Sequence, residues 1–470
     1  MKNVFSTTDA NQQAHATRRR APGGCDNTSG HCPGGHFSRR DFLRVGSLPF
    51  LGIGLSEFLR AREALGAAAV DAKATAQSCI MVWLDGGAPQ MDTFDPKPSS
   101  SFKAIPTNVS GIQYCELLPK LAQRADKLSI IRSVRSPENN HGGATLYAAT
   151  GHAPNPAMKF PGVGAIVAKE TGARGAIPPY VIAPEMPKGK EYDEYMKAHF
   201  VGPEYDPLIL PFPRESDFQV PDLELPKELS IETVNRRRSF LDLVDRHYRE
   251  KVESAEFQSM DSFLDQAWSM ILSPAVREAF DIGKESDKTR ERYGKDDDAF
   301  GKSLLLARRL VEAGSRFVTA GGFGPQAWDT HQQNDTNMKS NLAPRFDQGL
   351  SALLDDLDER GLLDSTVVLV IGEFGRTAHL NVKFGRDHWP ECWSVAITGG
   401  GIRPGRTVGE SDERAAYVAD RPISIGDIYA TIYKAMGIDW HKEYMHPIGR
   451  PIKIANGFDD KTGQPVDELF

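Results

Sequence analysis

Cysteine is scarce in this chain of 470 residues, with five in all. Cys25 and Cys32 fall in an N-terminal stretch that reads as a leader. Cys79, Cys115 and Cys392 remain, an odd number without repeating spacing, which excludes a disulfide framework. Long apolar runs are missing too. After the N-terminal region none is long enough for a transmembrane helix. Nor is there a basic cluster. The formal charge is −7, and residues 1–72 hold nine Lys/Arg against six Asp/Glu, so the remainder sits near −10. That balance leaves no footprint for nucleic acid or an anionic membrane surface. No internal repeat is visible.

What is present begins with Ser38-Arg39-Arg40-Asp41-Phe42-Leu43-Arg44, followed by the weakly apolar VGSLPFLGIGLSEFL. Paired arginines before a modest hydrophobic segment are the address read by the twin-arginine translocase. The segment carries Glu57 and several glycines and is too short to span a bilayer. Small residues follow at Gly66–Ala72, as a signal peptidase requires. Residues 1–72 are therefore set aside as a signal region, and the expected location is periplasmic or extracellular. Cys25, Cys32, His31 and His36 resemble half of a zinc site, but no second ligand pair has fitting spacing.

Residues 73–470 suit one large α/β domain. Short apolar runs read as buried strands at Cys79–Leu84, Leu128–Ile131, Tyr180–Ile182, Arg316–Thr319, Thr366–Ile371 and Trp393–Thr398. Helical patterns lie between them: SLLLARRLVEAG stops at Gly314, FDQGLSALLDDLDERG puts Leu350, Leu353, Leu354 and Leu357 on one face, and Ile425–Met436 ends at Gly437. The alternation predicts a doubly wound, mostly parallel sheet flanked by helices. Between 187 and 300 the composition turns charged and proline-rich, with helical stretches at Val234–Val252 and Glu256–Leu272. This segment reads as a helical insertion or cap, or as a structural flank.

In an open α/β sheet, ligands bind beyond the carboxyl ends of the strands. Asp85 ends the first strand. WDTH brings Asp329 and His331 after the fourth, and GEFGR brings Glu373 and Arg376 after TVVLVI. GRDHWP supplies His388. Carboxylates and imidazoles at successive strand ends suit a divalent metal held by O and N ligands. His141-Gly142-Gly143 opens a helix with free N–H groups, a seat for an anion or a simple Gly-rich helix start. The helix dipole there predicts a neutral His141. Thr145, one turn on, is expected to face helix or core.

The order SRRDFLR, VWLDGGAPQMDTFDPKP, HGGATLYAATG, LLARRLVEAGSRFV, WDTH, GEFGRT and GRDHWP resembles the exported domain-of-unknown-function family 1501, from residue 38 to 452. That family is similar to the alkaline phosphatase and sulfatase superfamily, which hydrolyses phosphate or sulfate esters with one or two bound metals. The resemblance implies an alkaline phosphatase-like fold and a divalent cofactor (Zn, Ca or Mg). It implies metal ligands at Asp85, Asp329, His331, Glu373 and His388, with Asp329, His331 and His388 the tightest group and Arg376 holding an anionic oxygen. Phe374 stands where the superfamily has a histidine. His141 stands where it has a nucleophile, counted nine residues back from Thr150-Gly151, so His141 is the candidate nucleophile or a further ligand. Two functions follow: an exported metal-dependent hydrolase of sulfate or phosphate esters on small molecules or glycans, or a non-catalytic exported binding protein with the same fold.

Overall fold

The computed structural model describes residues 74–184, 190–211, 273–295 and 298–470, with scattered positions between 230 and 272. All of them belong to one compact unit, 64–470. The expected signal region 1–72 lies outside the described residues, as do most of the helices expected at Val234–Val252 and Glu256–Leu272. No described helix is long and apolar enough to cross a membrane.

Eight strands form the central sheet: β1 (Ser78–Trp83), β2 (Ser129–Val134), β3 (Tyr180–Ala183), β4 (Leu208–Ile209), β5 (Phe317–Ala320), β6 (Thr366–Ile371), β7 (Trp393–Thr398) and β8 (Thr407–Val408). Their order is β8-β2-β7-β6-β1-β5-β3-β4. β1 lies parallel to both β5 and β6, and β3 to β5 and β4. β7 alone runs antiparallel, to β6 on one side and β2 on the other. It follows β6 through a loop with no crossover helix, and a chain that turns back directly can pair only antiparallel. The sheet is thus mixed but mostly parallel.

The helices cover both faces: α1 (His141–Thr150), α2 (Val163–Thr171), α3 (Ala299–Ala313), α4 (Ala343–Glu359) and α5 (Ile425–Ala435). Side chains alternate across a strand, so β1 feeds two cores. Ile80 and Val82 join α3 and α4 in one. Cys79, Met81 and Trp83 join α1, α2 and α5 in the other. The leucine stripe of α4, Leu350, Leu353, Leu354 and Leu357, is wholly buried. Each such side chain contributes roughly 1.5–3 kcal/mol on leaving water.

This topology gathers the polar residues at one edge. β1 runs out into Asp85, β5 into the Asp329 loop and β6 into Glu373. β2 points the same way and leads to His141. β7, being antiparallel, starts at that edge and is preceded by His388.

Candidate metal centre

Three histidines converge on one aspartate. His141 Nε2 is 3.3 Å from Asp329 Oδ2, and His331 Nε2 and His388 Nε2 lie 3.2 and 3.3 Å from Asp329 Oδ1. The two Nε2 atoms of His331 and His388 are 3.0 Å apart.

Each imidazole is fixed by its other nitrogen. His141 Nδ1 meets Glu373 Oε1 at 2.9 Å, His331 Nδ1 meets Asp387 Oδ1 at 2.6 Å, and His388 Nδ1 meets the Asn139 carbonyl at 2.7 Å. Ionised carboxylates and carbonyls only accept hydrogen bonds. Nδ1 therefore carries the proton in all three rings, and in the neutral form each Nε2 lone pair faces the others. Second-sphere carboxylates and carbonyls of this kind orient metal-binding histidines. Donors about 2.0–2.1 Å from a tetrahedral zinc lie about 3.3 Å from each other, close to the spacings found here. His141 Nε2 is also buried without a hydrogen-bond partner. The donor set and this orphaned nitrogen fit a divalent metal. His141, Asp329 and His388 form the compact group, with donor atoms all within 4.8 Å. His331 reaches the same aspartate from the solvent side, its side chain 39% exposed.

The grouping differs from the sequence expectation in three places. His141 replaces His331 in the tightest set, because β2 brings the start of α1 to the same edge. Glu373 is fully buried, and its two oxygens accept the Gly86 N–H at 2.9 and 3.1 Å besides meeting His141, so it holds the His141 ring from behind. Asp85 stands apart from the three-donor group. Its carboxylate accepts the Trp83 indole N–H at 3.2 Å and the Gln326 amide, and burial, then the Glu373 charge, raises its pKa to about 7.

Arg376 also departs from its expected role. It is 1% exposed. Its guanidinium donates to the carbonyls of Gly87 at 3.0 Å, Arg386 at 3.1 Å and Gly86, and pairs with Asp329 Oδ1 at 2.6 Å. With its fork spent on these groups, Arg376 orients Asp329 rather than reaching a substrate oxygen.

His141 is the first residue of α1, capped by Asn140, whose side chain accepts from Gly143 N at 2.9 Å. The expected neutral imidazole is overturned for the metal-free state. Burial lowers its pKa, but the Asp329 and Glu373 carboxylates outweigh both burial and the helix dipole and lift it to about 9. Asp329 itself is desolvated, yet His141, His388 and Arg376 hold it well below the usual carboxylate range. Thr145 is fully buried, with its hydroxyl unpartnered.

Two glycines permit the close approach. A Cβ on Gly86, at φ +105°, would meet Asp329 N at 2.4 Å, and one on Gly385 would meet the His331 carbonyl carbon at 2.0 Å. Beneath them lies a buried ion pair that sequence reasoning missed. Arg386 binds Asp92 through two bonds, 2.8 and 3.1 Å, and Asn334 donates to the same carboxylate at 2.8 Å. This pair ties the Asp387-His388 loop to the segment after His331. Its partners lie in two of the quoted motifs, Asp92 in the first long one and Arg386 in GRDHWP, but no spacing links them.

Residues 76–470 match the family described as "Protein of unknown function (DUF1501)", and the chain belongs to that family. No curated protein matches the sequence. Solved structures similar to this chain include the PsFucS1 sulfatase from Pseudoalteromonas sp., at 11% identity and TM-score 0.34, covering 80% of this chain and 72% of that one. Another is the alkaline phosphatase from the Antarctic bacterium TAB5, at 12% identity and TM-score 0.36, covering 73% and 96%. A third is the phosphonate monoester hydrolase SpPMH from Silicibacter pomeroyi, at 12% identity and TM-score 0.36, covering 83% and 76%.

Proposed function

We propose that this member of the family is an exported metal-dependent hydrolase of phosphate or sulfate esters. The observation that carries the reading is the convergence of three Nδ1-anchored imidazoles on Asp329 at the open edge of the sheet. Imidazole-rich donor sets with one carboxylate suit zinc better than calcium or magnesium, which prefer oxygen alone.

His141, Asp329 and His388 would hold a divalent ion, which would supply Lewis acidity toward an ester oxygen and a bound water. The chain does the rest. Glu373, Asp387 and the Asn139 carbonyl keep the three rings in the tautomer that offers Nε2. Arg376 holds the Asp329 carboxylate in place and keeps it ionised. Tied at Nδ1 to Glu373, with Nε2 turned into the donor cluster, His141 serves as a ligand in this reading, not as the attacking nitrogen. His331, the most exposed of the group, lines the mouth through which the ester oxygen enters.

Elemental analysis of the purified mature protein comes first, followed by turnover of 4-nitrophenyl sulfate and 4-nitrophenyl phosphate. Bound metal with turnover that His141→Ala abolishes together with the metal is the expected outcome. Bound metal with no turnover of either ester sinks the hydrolase and leaves the non-catalytic binding protein. Full turnover by a metal-depleted His141→Ala variant rules out both the centre and the ligand role.

A further inference from the structure

A second site lies beside the centre. A cavity of about 590 Å³ is lined by Arg135, Ser136, Pro137, Glu391 and residues of the 450–460 segment. Ser136 is three residues before Asn139, whose carbonyl fixes His388, and Glu391 is three residues after His388. Three residues of chain reach at most about 10 Å, so Ser136 and Glu391 stand within that distance of the metal-centre segments.

The lining says what the cavity would accept. Its charges are neutralised in place. Arg135 pairs with Glu391 at 2.9 Å, Arg450 and Lys453 share Asp460 at 3.3 and 4.0 Å, and Asp459 pairs with Lys461 at 3.5 Å. His152, also on the wall, is held uncharged by burial, which lowers its pKa to about 4. An anion would find no free cation among these pairs. Hydrogen-bonding capacity is nevertheless left over. Ser136 and Asn456 both line the cavity, and the Ser136 hydroxyl and the Asn456 side-chain carbonyl are buried with no partner in the protein. Leaving such groups unmet costs about 1–3 kcal/mol each, which a ligand bearing hydroxyls would recover. The wall also has a flat apolar face, where His152 and Phe160 stack with centroids 4.2 Å apart and planes 8° from parallel. Tyr147 adds a further ring to the lining.

We propose that this cavity binds a neutral, hydroxyl-rich saccharide unit, and that it holds the organic part of the ester whose charged group meets the metal centre. The second half rests on the hydrolase reading. The first half does not, so the two can fail separately.

The test uses the metal-loaded protein and a panel of uncharged oligosaccharides, with binding read by calorimetry or saturation-transfer NMR. Ser136→Ala removes one unmet hydroxyl, and Ser136→Phe fills the space. Metal content and thermal melts confirm that each variant is folded. At least one oligosaccharide should bind the wild type, with Ser136→Ala weakening it about two- to tenfold and Ser136→Phe abolishing it. On esters, kcat/KM for a saccharide ester should fall in Ser136→Phe relative to that for 4-nitrophenyl ester. No binding by any oligosaccharide overturns the inference, as does a folded Ser136→Phe variant that binds as tightly as wild type. Intact saccharide binding without turnover of any ester removes the hydrolase reading and leaves the cavity standing.

Discussion

Glu373 Oε1 lies 2.9 Å from His141 Nδ1, although 232 residues separate them in sequence. One partner leaves β6 and the other opens α1. Their contact makes a carboxylate–imidazole pair whose free nitrogen points at Asp329. Loss of an outer-sphere carboxylate typically costs 10–100-fold in metal affinity. Glu373→Gln should therefore weaken metal binding by about that factor while the protein stays folded, because the glutamine amide can still accept from Gly86. Competition titration with a chromophoric chelator reads the affinity directly. Wild-type affinity in this variant would remove Glu373 from the centre.

The protonation state of His141 gives a pH prediction. Without metal, the folded pKa of about 9 exceeds the ordinary 6.5. Folding thus favours the protonated ring. That stabilisation is complete below about pH 6.5 and is lost as pH climbs through 9. Asp85 acts with the same sign at lower pH. Raised from 3.8 to about 7 by burial and then by Glu373, it stabilises fully below 3.8 and loses that contribution through 7. Asp329, held low, is ionised in both the folded and unfolded states above about pH 5 and adds no slope there. Between about pH 4 and 6.5 His152, lowered to about 4 by burial, acts with the opposite sign and offsets Asp85, so metal-free protein should melt at progressively lower temperature from about pH 7 to 9. Saturating zinc should reverse the upper part of that trend, because the metal competes with the proton on His141. His141→Gln should flatten the metal-free slope between 6.5 and 9. An unchanged slope in that variant would assign it to another group.

The buried Asp92–Arg386 pair offers a separate test. Both side chains are almost wholly removed from water, so removing one strands the other's charge. Breaking such a pair costs about 3–5 kcal/mol. Arg386→Met should show that loss in a denaturant melt and should also weaken metal binding, since the residue sits directly before Asp387 and His388. Arg386→Lys keeps the charge but not the two-pronged geometry. It should recover part of the stability and less of the affinity. Equal recovery of both would mean that Arg386 supports the fold alone and does not position the loop.

Gly86 links backbone geometry to the same site. Its φ is +105°, and a methyl group added there would come within 2.4 Å of the Asp329 amide nitrogen, which leaves no room for alanine. A non-glycine residue strained in this way costs of order 1–3 kcal/mol. Gly86→Ala should lower the melting temperature and displace Asp329 enough to lose metal stoichiometry. Retained stoichiometry with only a stability loss would show that the loop can shift without carrying Asp329 along.

Much of the sheet was legible. Thr366–Ile371 and Trp393–Thr398 read as strands over their observed bounds, because each is a short, nearly unbroken buried run closed by polar residues or glycines. The antiparallel sense of Trp393–Thr398 was not, since an apolar run buried on both faces looks the same in either direction. At the centre, sequence could place Asp329, His331, Glu373 and His388 at strand ends, since each follows or precedes an apolar run. It could not tell donors from supports. Whether Glu373 faces a metal or a histidine is decided by the Gly86 turn, and whether Arg376 is free or buried is decided by carbonyls of Gly86, Gly87 and Arg386. Asn139 acts through its backbone carbonyl, which no residue type announces.

The export reading makes the last prediction. The centre draws on segments around residues 139–141, 329–331, 373–376 and 386–388, so no part of it exists before the sheet has assembled. A protein whose metal site forms only on folding gains from a route that carries folded cargo, and the paired Arg39 and Arg40 before a weakly apolar segment match the address for that route. Replacing both with lysine keeps the charge and removes the guanidinium pair. The variant should accumulate in the cytoplasm as folded, unprocessed precursor, detectable by its uncleaved mass and its bound metal. Mature-size protein outside the cytoplasm at wild-type levels would show that export does not depend on the pair. Precursor that accumulates unfolded and metal-free would break the argued connection between the late-forming centre and the choice of route.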